Sequence, residues 1–188
     1  MSAPVLNVAN QLTLLRMALA PVLVVLVLAQ EMVWALAVLV VAGLTDMLDG
    51  LIARRGHQQT TLGAMLDPMA DKLLLTSAYV VLTWTSGALV RIPAWLTVIT
   101  LSRDAIIVVS VAIINLTMGR RIFYPTLLGK CATATQLGTV GVVLLLNALG
   151  TPFPPVVYLF RLALLFTVAS ALHYVYLAST RGGSIPAP

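Results

Sequence analysis

The chain has 188 residues, of which 60% are hydrophobic and 9% are charged, and its formal net charge is +5. Soluble domains carry about 25% charged residues, so the composition excludes an ordinary soluble protein and indicates one integral membrane domain over residues 1–188. The single Cys131 excludes an intrachain disulfide and a multi-cysteine metal site, and it is expected to be a small buried residue. The only histidines, His57 and His173, argue against a histidine-based metal site.

Six apolar runs follow one another along the chain, each close to the roughly 20 residues that a helix needs to cross a bilayer. After a short interfacial segment at residues 1–10, the predicted spans are Leu12–Ala29, Met32–Asp49, Pro68–Thr85, Pro93–Leu116, Lys130–Leu149 and Pro154–Leu177. Their predicted connections are a turn at Gln30–Glu31, a polar segment at Arg54–Leu66, a loop at Ser86–Ile92 and a basic loop at Thr117–Gly129. The expected fold is therefore all-α, with six transmembrane helices and no cleavable signal peptide.

The distribution of basic residues predicts the orientation of these helices. Most of them fall on the side of the two termini and of the 2–3 and 4–5 connections, whereas only Arg91 clearly falls on the other side. The positive-inside rule then makes the termini and the 2–3 connection cytoplasmic. A basic rim also suits anionic lipid headgroups, and no nucleic-acid partner is expected.

Four of the six acidic residues lie between positions 46 and 71. Asp46 and Asp49 share a face at the end of the second span, and Asp67 and Asp71 share a face at the start of the third. Asp67 is expected to cap that helix, with Pro68 at its first position. A helix hairpin would bring the two faces together, so the sequence predicts an all-oxygen site that favours Mg²⁺ or Mn²⁺ over zinc.

These clustered carboxylates need positive charge beside them, because an uncompensated carboxylate at a membrane edge is costly. Only Arg54, Arg55 and Lys72 are close in sequence, which makes bound divalent metal the expected counter-charge. Arg54 can offer paired donors to a phosphate, and Gly50 and Gly63 leave room for a bulky group to approach the backbone. Together these features describe a pyrophosphate site at a membrane surface.

The spacing of these residues resembles a known family. The pattern D-x2-D-G-x2-A-R-x8-G-x3-D-x3-D runs from Asp46 to Asp71 with every fixed position present, and it resembles that of the CDP-alcohol phosphotransferases. Two further segments resemble the phosphatidylglycerophosphate synthases and the CMP-forming cardiolipin synthases. They are the opening Asn7-x2-Asn10-x2-Thr13-x2-Arg16 and the run Gly129-Lys130-x2-Thr133-x2-Gln136.

The resemblance implies a six-helix homodimer in the bacterial inner membrane, with its active site on the cytoplasmic side. It implies attack of an alcohol hydroxyl on CDP-diacylglycerol with release of CMP, at a site of two Mg²⁺ or Mn²⁺ ions. Position by position, it assigns metal binding to Asp46, Asp49, Asp67 and Asp71, and general-base catalysis to Asp71. The positions that match the cytidine diphosphate site are Asp49, Gly50, Arg54 and Gly63.

The alcohol acceptor is expected to bear a phosphate, held by a basic pocket. Its candidate residues are Lys130, Arg103, Arg120 and Arg121. Alternatives stay open for three of them: an internal pair with Asp104 or with a polar group of another helix for Arg103, and a solvated lipid-headgroup rim for Arg120 and Arg121.

Three polar residues on the first and fifth spans also have open roles. Thr133 and Gln136 are expected to face the pocket or to form hydrogen bonds between helices. Arg16 is expected either to reach the phosphates or to snorkel to the interface, with Thr13 on the same helix face.

The resemblance divides over the acceptor. The Arg103-Asp104 pair is similar to the cardiolipin synthase pattern, whereas the short ends are closer to the bacterial phosphatidylglycerophosphate enzymes. Glycerol-3-phosphate is the favoured acceptor, and phosphatidylglycerol, inositol phosphate and serine are alternatives. A cation transporter or a structural membrane module is the non-enzyme alternative, although the acids cluster at one interface and only Asp104 is placed deep.

Overall fold

The computed structural model describes the backbone of residues 8–56, 61–118 and 126–180, and the side chains of residues 11–46, 69–110 and 126–176. All regular secondary structure in this part of the chain is α-helical, which confirms the predicted fold class. The six helices described are α1 (Val8–Leu28), α2 (Met32–Gly56), α3 (Thr61–Trp84), α4 (Ala94–Met118), α5 (Leu127–Leu149) and α6 (Val156–Thr180).

The prediction of a polar connection at Arg54–Leu66 is wrong. Helix α2 continues to Gly56, and α3 already begins at Thr61. Asp67 therefore lies inside α3 and is not its N-cap, and Pro68 also lies inside the helix. The physical reason is that the parts of the segment that are helical contain Arg54, Arg55, Leu62, Ala64, Met65 and Leu66, residue types that favour helix whether or not the helix is inside a membrane.

Two further helix starts differ from the sequence-based bounds. Helix α1 begins at Val8, so the lead-in predicted for residues 1–10 is helical at its end. Helix α5 begins at Leu127, three residues before Lys130, so the predicted basic loop is shorter. The turn at Gln30–Glu31 and the loop at Ser86–Ile92 are confirmed.

The chain divides into two compact units. The first comprises Met1–Ile92 and Val140–Pro152, and within it α1 packs against both α2 and α3. The second comprises Pro93–Thr139 and Phe153–Pro188, and within it α4 packs against α6.

One face of α1 forms the centre of the first unit. Its buried residues recur every three or four positions, as expected for one helix face: Thr13, Arg16, Ala20, Leu23 and Val27. The partner helices turn small residues inward, with Ala35 and Ala42 of α2 and Ala70 and Ala78 of α3 all fully buried. Small side chains let helix backbones approach closely, which is how helices pack in a membrane.

Three helices in the described part are long and apolar enough to cross a membrane, by length and composition. They contain Gln11–Leu28, Leu127–Leu149 and Val156–Tyr176, and a shorter apolar stretch covers Met32–Asp46. Large apolar side chains are exposed along all three, for example Val25, Leu145 and Leu165, as expected for helices that face lipid. That all six helices span a membrane stays a prediction.

Side chains beyond the C-terminal end of α1 form hydrogen bonds to the backbone of the loop between α3 and α4. Gln30, in the turn after α1 with a positive φ of 64°, donates through Nε2 to the carbonyl oxygen of Ser86 over 3.0 Å. Asn147 of α5 accepts from the backbone nitrogens of Leu89 (2.7 Å) and Val90 (3.1 Å), and it donates to the Val90 carbonyl oxygen over 2.8 Å. Asn147 thus holds the loop between α3 and α4 in place.

The substitution Asn147→Ala should destabilise the first unit, because it leaves three loop backbone groups without their partner. Each such bond contributes about 1 kcal/mol, so the free energy of unfolding should fall by about 2 kcal/mol or more. Thermal unfolding of the purified protein in detergent measures the effect. The exposed Thr151 nearby provides the control Thr151→Ala, and an equal change in both variants would contradict the role of Asn147.

Candidate active site

A buried arginine joins two aspartates from neighbouring helices in the first unit. Arg16 Nη1 lies 3.0 Å from Asp46 Oδ1 and 2.6 Å from Asp71 Oδ1. The Arg16 side chain is 1% exposed, whereas those of Asp46 and Asp71 are 52% and 42% exposed. Because one nitrogen contacts both oxygens, the two carboxylates are immediate neighbours, and the arginine closes their inner side.

This contact brings together two residues of the predicted acidic cluster, Asp46 of α2 and Asp71 of α3. Asp49 lies on α2 three residues after Asp46, and Asp67 lies on α3 four residues before Asp71. The side chains of Asp49 and Asp67 lie outside the described residues, as do those of Arg54 and Arg55. Among the side chains described, no group of three or more carboxylates, histidines or cysteines lies together.

The acids do not stand at the helix ends, contrary to the sequence-based expectation. Helix α2 runs seven residues past Asp49, and α3 begins six residues before Asp67. Gly50 therefore lies inside α2 and Gly63 inside α3, on the helical extensions beyond the carboxylates. The matched cytidine diphosphate positions consequently sit on continuous helix.

Arg16 is the residue whose role the sequence reasoning missed. Only Arg54, Arg55 and Lys72 are close to the acids in sequence, and the structure adds Arg16 of α1, which contacts two of them. Snorkelling is also wrong, since the side chain is buried. The available signal was an arginine one turn inside an apolar span, on the same face as Thr13, which is fully buried as well.

The donors present fit a hard divalent ion. The described ligating atoms are carboxylate oxygens, which Mg²⁺ and Mn²⁺ prefer. Both aspartates keep about half of their side-chain surface exposed, so they can be reached from the side opposite Arg16. A cation already lies between them in the form of the guanidinium, which shows that this spacing of carboxylates accommodates positive charge.

A second polar cluster lies in the second unit, around Arg103 of α4. Arg103 Nη1 donates to Asp104 Oδ1 over 2.7 Å, and Nη2 donates to Ser170 Oγ of α6 over 2.6 Å. Arg103 is 7% exposed, and its buried Nε has no hydrogen-bond partner among the residues that the structure describes. The internal ion pair with Asp104 is therefore present, and so is the contact with a polar group of another helix, which is Ser170 of α6.

The start of α5 adds a cation to this cluster. Thr126 caps the helix by accepting a hydrogen bond from the Gly129 nitrogen over 3.1 Å, and Lys130 is exposed in the first turn. A Cβ atom at Gly129 would lie 3.5 Å from Arg103 Nη2, so this glycine packs directly against the guanidinium. Arg103 and Lys130 thus flank one glycine, at the helix end where anions bind favourably.

The other predicted polar residues have individual outcomes. Gln136 Nε2 donates to Thr167 Oγ1 over 3.1 Å, which is the predicted hydrogen bond between helices, whereas Thr133 bonds to the Gly129 carbonyl oxygen of its own helix. Cys131 is half-buried, and not buried as expected. Arg120, Arg121 and His57 lie outside the described residues, and His173 is half-buried in α6.

Comparison with known proteins assigns this chain to a family. The family model described as CDP-alcohol phosphatidyltransferase matches residues 6–179. A cardiolipin synthase (CMP-forming) of Streptomyces coelicolor is 38% identical over 156 residues, which cover 78% of this chain and 68% of that protein. The human cardiolipin synthase (CMP-forming) is 42% identical over 106 residues, 56% of this chain and only 34% of the human protein.

A probable phosphatidylglycerophosphate synthase of Mycobacterium tuberculosis is 33% identical over 182 residues, which cover 92% of this chain and 82% of that protein. The match to the family model covers α1 to α6 almost completely, and it includes both Arg16 and the acidic residues of α2 and α3. The chain therefore belongs to the CDP-alcohol phosphatidyltransferase family, whose members are transferases of phospholipid biosynthesis.

Proposed function

We propose that this chain transfers the phosphatidyl group of CDP-diacylglycerol to the hydroxyl group of phosphatidylglycerol, forming cardiolipin and CMP. The observation that carries the transferase reaction is the contact of Asp46 and Asp71 with Arg16, because it joins the family's spaced acids into one site. The acceptor is supported by the relatives named cardiolipin synthase, at 38% and 42% identity, and by the Arg103–Asp104 pair.

Glycerol-3-phosphate is the second candidate acceptor. Its specific support is the relative named as a probable phosphatidylglycerophosphate synthase, which matches over 82% of its own length. Both acceptors carry a phosphate on a glycerol unit with a free hydroxyl group, so one kind of basic pocket serves either. Arg103 and Lys130 are its described candidates, with Arg120 and Arg121 as further ones.

Asp71 is the proposed general base. The acceptor oxygen attacks the phosphorus of the phosphatidyl group, the bond from that phosphorus to CMP breaks, and the hydroxyl proton passes to the Asp71 carboxylate. Arg16 fixes one oxygen of that carboxylate, which orients it. Divalent ions held by Asp46, Asp49, Asp67 and Asp71 would supply charge stabilisation to the diphosphate and to the departing CMP.

The remaining residues of the motif are proposed to bind the nucleotide. Arg54 offers paired donors to a phosphate, while Gly50 and Gly63 leave room for the cytidine diphosphate beside the helix backbone. We further propose that the protein is a homodimer in a bacterial inner membrane, with its termini and the acids at the cytoplasmic side. The distribution of basic residues supports the cytoplasmic side for the termini and the acids. The apolar helices support the location in a membrane, where the acyl chains of the substrate would stay in lipid.

The acceptor can be identified from the lipid product. We expect purified protein with CDP-diacylglycerol and Mn²⁺ to form cardiolipin when phosphatidylglycerol is supplied and to release CMP in equal amount. Glycerol-3-phosphate supplied alone should give no phosphatidylglycerophosphate. Thin-layer separation of radiolabelled lipid products distinguishes the two, and a chelator control should abolish turnover that Mg²⁺ or Mn²⁺ restores.

Product with glycerol-3-phosphate alone would select the second acceptor. Turnover that resists the chelator would contradict the metal proposal. Absence of CMP release with either acceptor would contradict the reaction and favour the transporter or structural alternative.

The substitution Asp71→Asn should reduce kcat by about 100-fold or more, because general-base catalysis contributes at least that much. The amide oxygen can still accept the hydrogen bond from Arg16, so the fold should persist. Steady-state rates together with thermal unfolding separate the two effects. Glu31→Gln makes the same chemical change in an exposed turn and should leave the rate unchanged, and a near wild-type rate for Asp71→Asn would remove the base assignment.

The substitution Lys130→Ala should raise the KM for the acceptor by about tenfold, the equivalent of one charge-assisted contact of about 1.4 kcal/mol, with a smaller change for CDP-diacylglycerol. Substrate-saturation curves for each substrate measure the two values. Arg91→Ala removes another exposed cation and serves as the control. An unchanged acceptor KM would exclude Lys130 from the acceptor pocket.

A further inference from the structure

We propose that Arg16 is a positioning residue, acting as the resident counter-cation of the acidic cluster. In this role it holds Asp46 of α2 and Asp71 of α3 together when no divalent ion is bound. This role concerns how the two carboxylates are brought together. Only the binding of a divalent ion to them rests on the proposed function. The contact that carries it is one guanidinium nitrogen placed 3.0 Å and 2.6 Å from two carboxylate oxygens.

The burial of Arg16 shows that the contact is built into the fold. Its side chain is 1% exposed, although the long stem of an arginine usually lets its charge extend to water. A buried guanidinium is strongly disfavoured unless anions compensate it. Asp46 and Asp71 provide that compensation, so the arginine and the carboxylates depend on each other.

The three residues lie on three different helices, which gives the contact its structural effect. Arg16 belongs to α1, Asp46 to α2 and Asp71 to α3, and α1 is the helix that packs against both others. Two carboxylates drawn together without a cation would repel each other. The guanidinium removes that repulsion from a fixed position on α1, and it is always charged and covalently tethered.

Arg16 and the two aspartates differ in exposure, so the guanidinium and a bound divalent ion would lie on opposite sides of the carboxylates. Arg16 occupies the interior, while Asp46 and Asp71 remain 52% and 42% exposed. An incoming divalent ion therefore meets carboxylates that are already gathered and still accessible. A site arranged before its ligand arrives does not spend binding energy on its own assembly.

A double-mutant cycle in chelator tests the inference without any metal. Thermal unfolding midpoints are measured in detergent for full-length wild type, Arg16→Gln, Asp46→Asn and the double variant. Arg16→Gln should lower the midpoint by about 5 °C or more, because it removes the positive charge that contacts two adjacent carboxylates. In the double variant, the added loss from Arg16→Gln should be smaller than in wild type, since one of those charges is gone.

Two further variants make the result specific to charge. Arg16→Lys keeps the positive charge and should recover part of the loss seen with Arg16→Gln. Arg91→Gln removes an exposed arginine of the same unit and should leave the midpoint within about 1 °C of wild type. If Arg16→Gln does not fold, recovery of folded protein by adding Asp46→Asn supports the inference. The inference is overturned if neither the added Asp46→Asn nor the replacement Arg16→Lys gives folded protein.

Two outcomes of the cycle overturn the proposal: a wild-type midpoint for Arg16→Gln, or losses that add without coupling to Asp46→Asn. An arm with added Mn²⁺ examines the proposed metal site separately. There, Mn²⁺ should raise the midpoint of Arg16→Gln more than that of wild type, because the ion replaces the missing charge. If neither protein responds to Mn²⁺ while the chelator cycle shows coupling, the metal proposal fails and the role of Arg16 stands.

Discussion

The ion pair of a buried arginine with two half-exposed aspartates is the contact on which the first unit depends. Helices in a membrane gain little from hydrophobic burial against one another, so close packing and polar contacts must hold them. Small inward residues such as Ala35, Ala42 and Ala70 let α1, α2 and α3 approach. Arg16 then determines which residues meet within these helices, and the bonds of Gln30 and Asn147 hold the turn after α1 and the loop after α3.

The sequence predicted the helices well, because apolar runs of spanning length and the spacing of Asp46 to Asp71 are local patterns. Helix ends were predicted poorly, because a change from apolar to polar residues marks the edge of a hydrophobic environment. It does not mark the end of a helix. The segment from Arg54 to Leu66 is polar in part, yet its residues favour helix and most of it is helical. The same confusion made Pro68 appear to be a helix start.

Contacts between distant positions were beyond the reach of sequence patterns. Arg16 and Asp71 are 55 residues apart, and Arg103 and Ser170 are 67 apart, so no local spacing connects them. The pair of Arg103 with Asp104 was foreseen because the two residues are adjacent. For the same reason the acceptor could not be chosen from sequence, since several basic residues indicate a phosphate without specifying the rest of the alcohol.

The arrangement of charge explains why this cluster suits a reaction at a membrane surface. The usual place for an arginine near a helix end is the interface, with its charge in water and its stem in lipid. Here Arg16 is inside and the carboxylates are outside, because two anions compensate the guanidinium better than partial hydration would. The inversion leaves acidic oxygens as the accessible groups of the cluster. Such oxygens suit the divalent ions and the charged headgroup of the activated lipid in the proposed reaction, in which the acyl chains would stay in the bilayer.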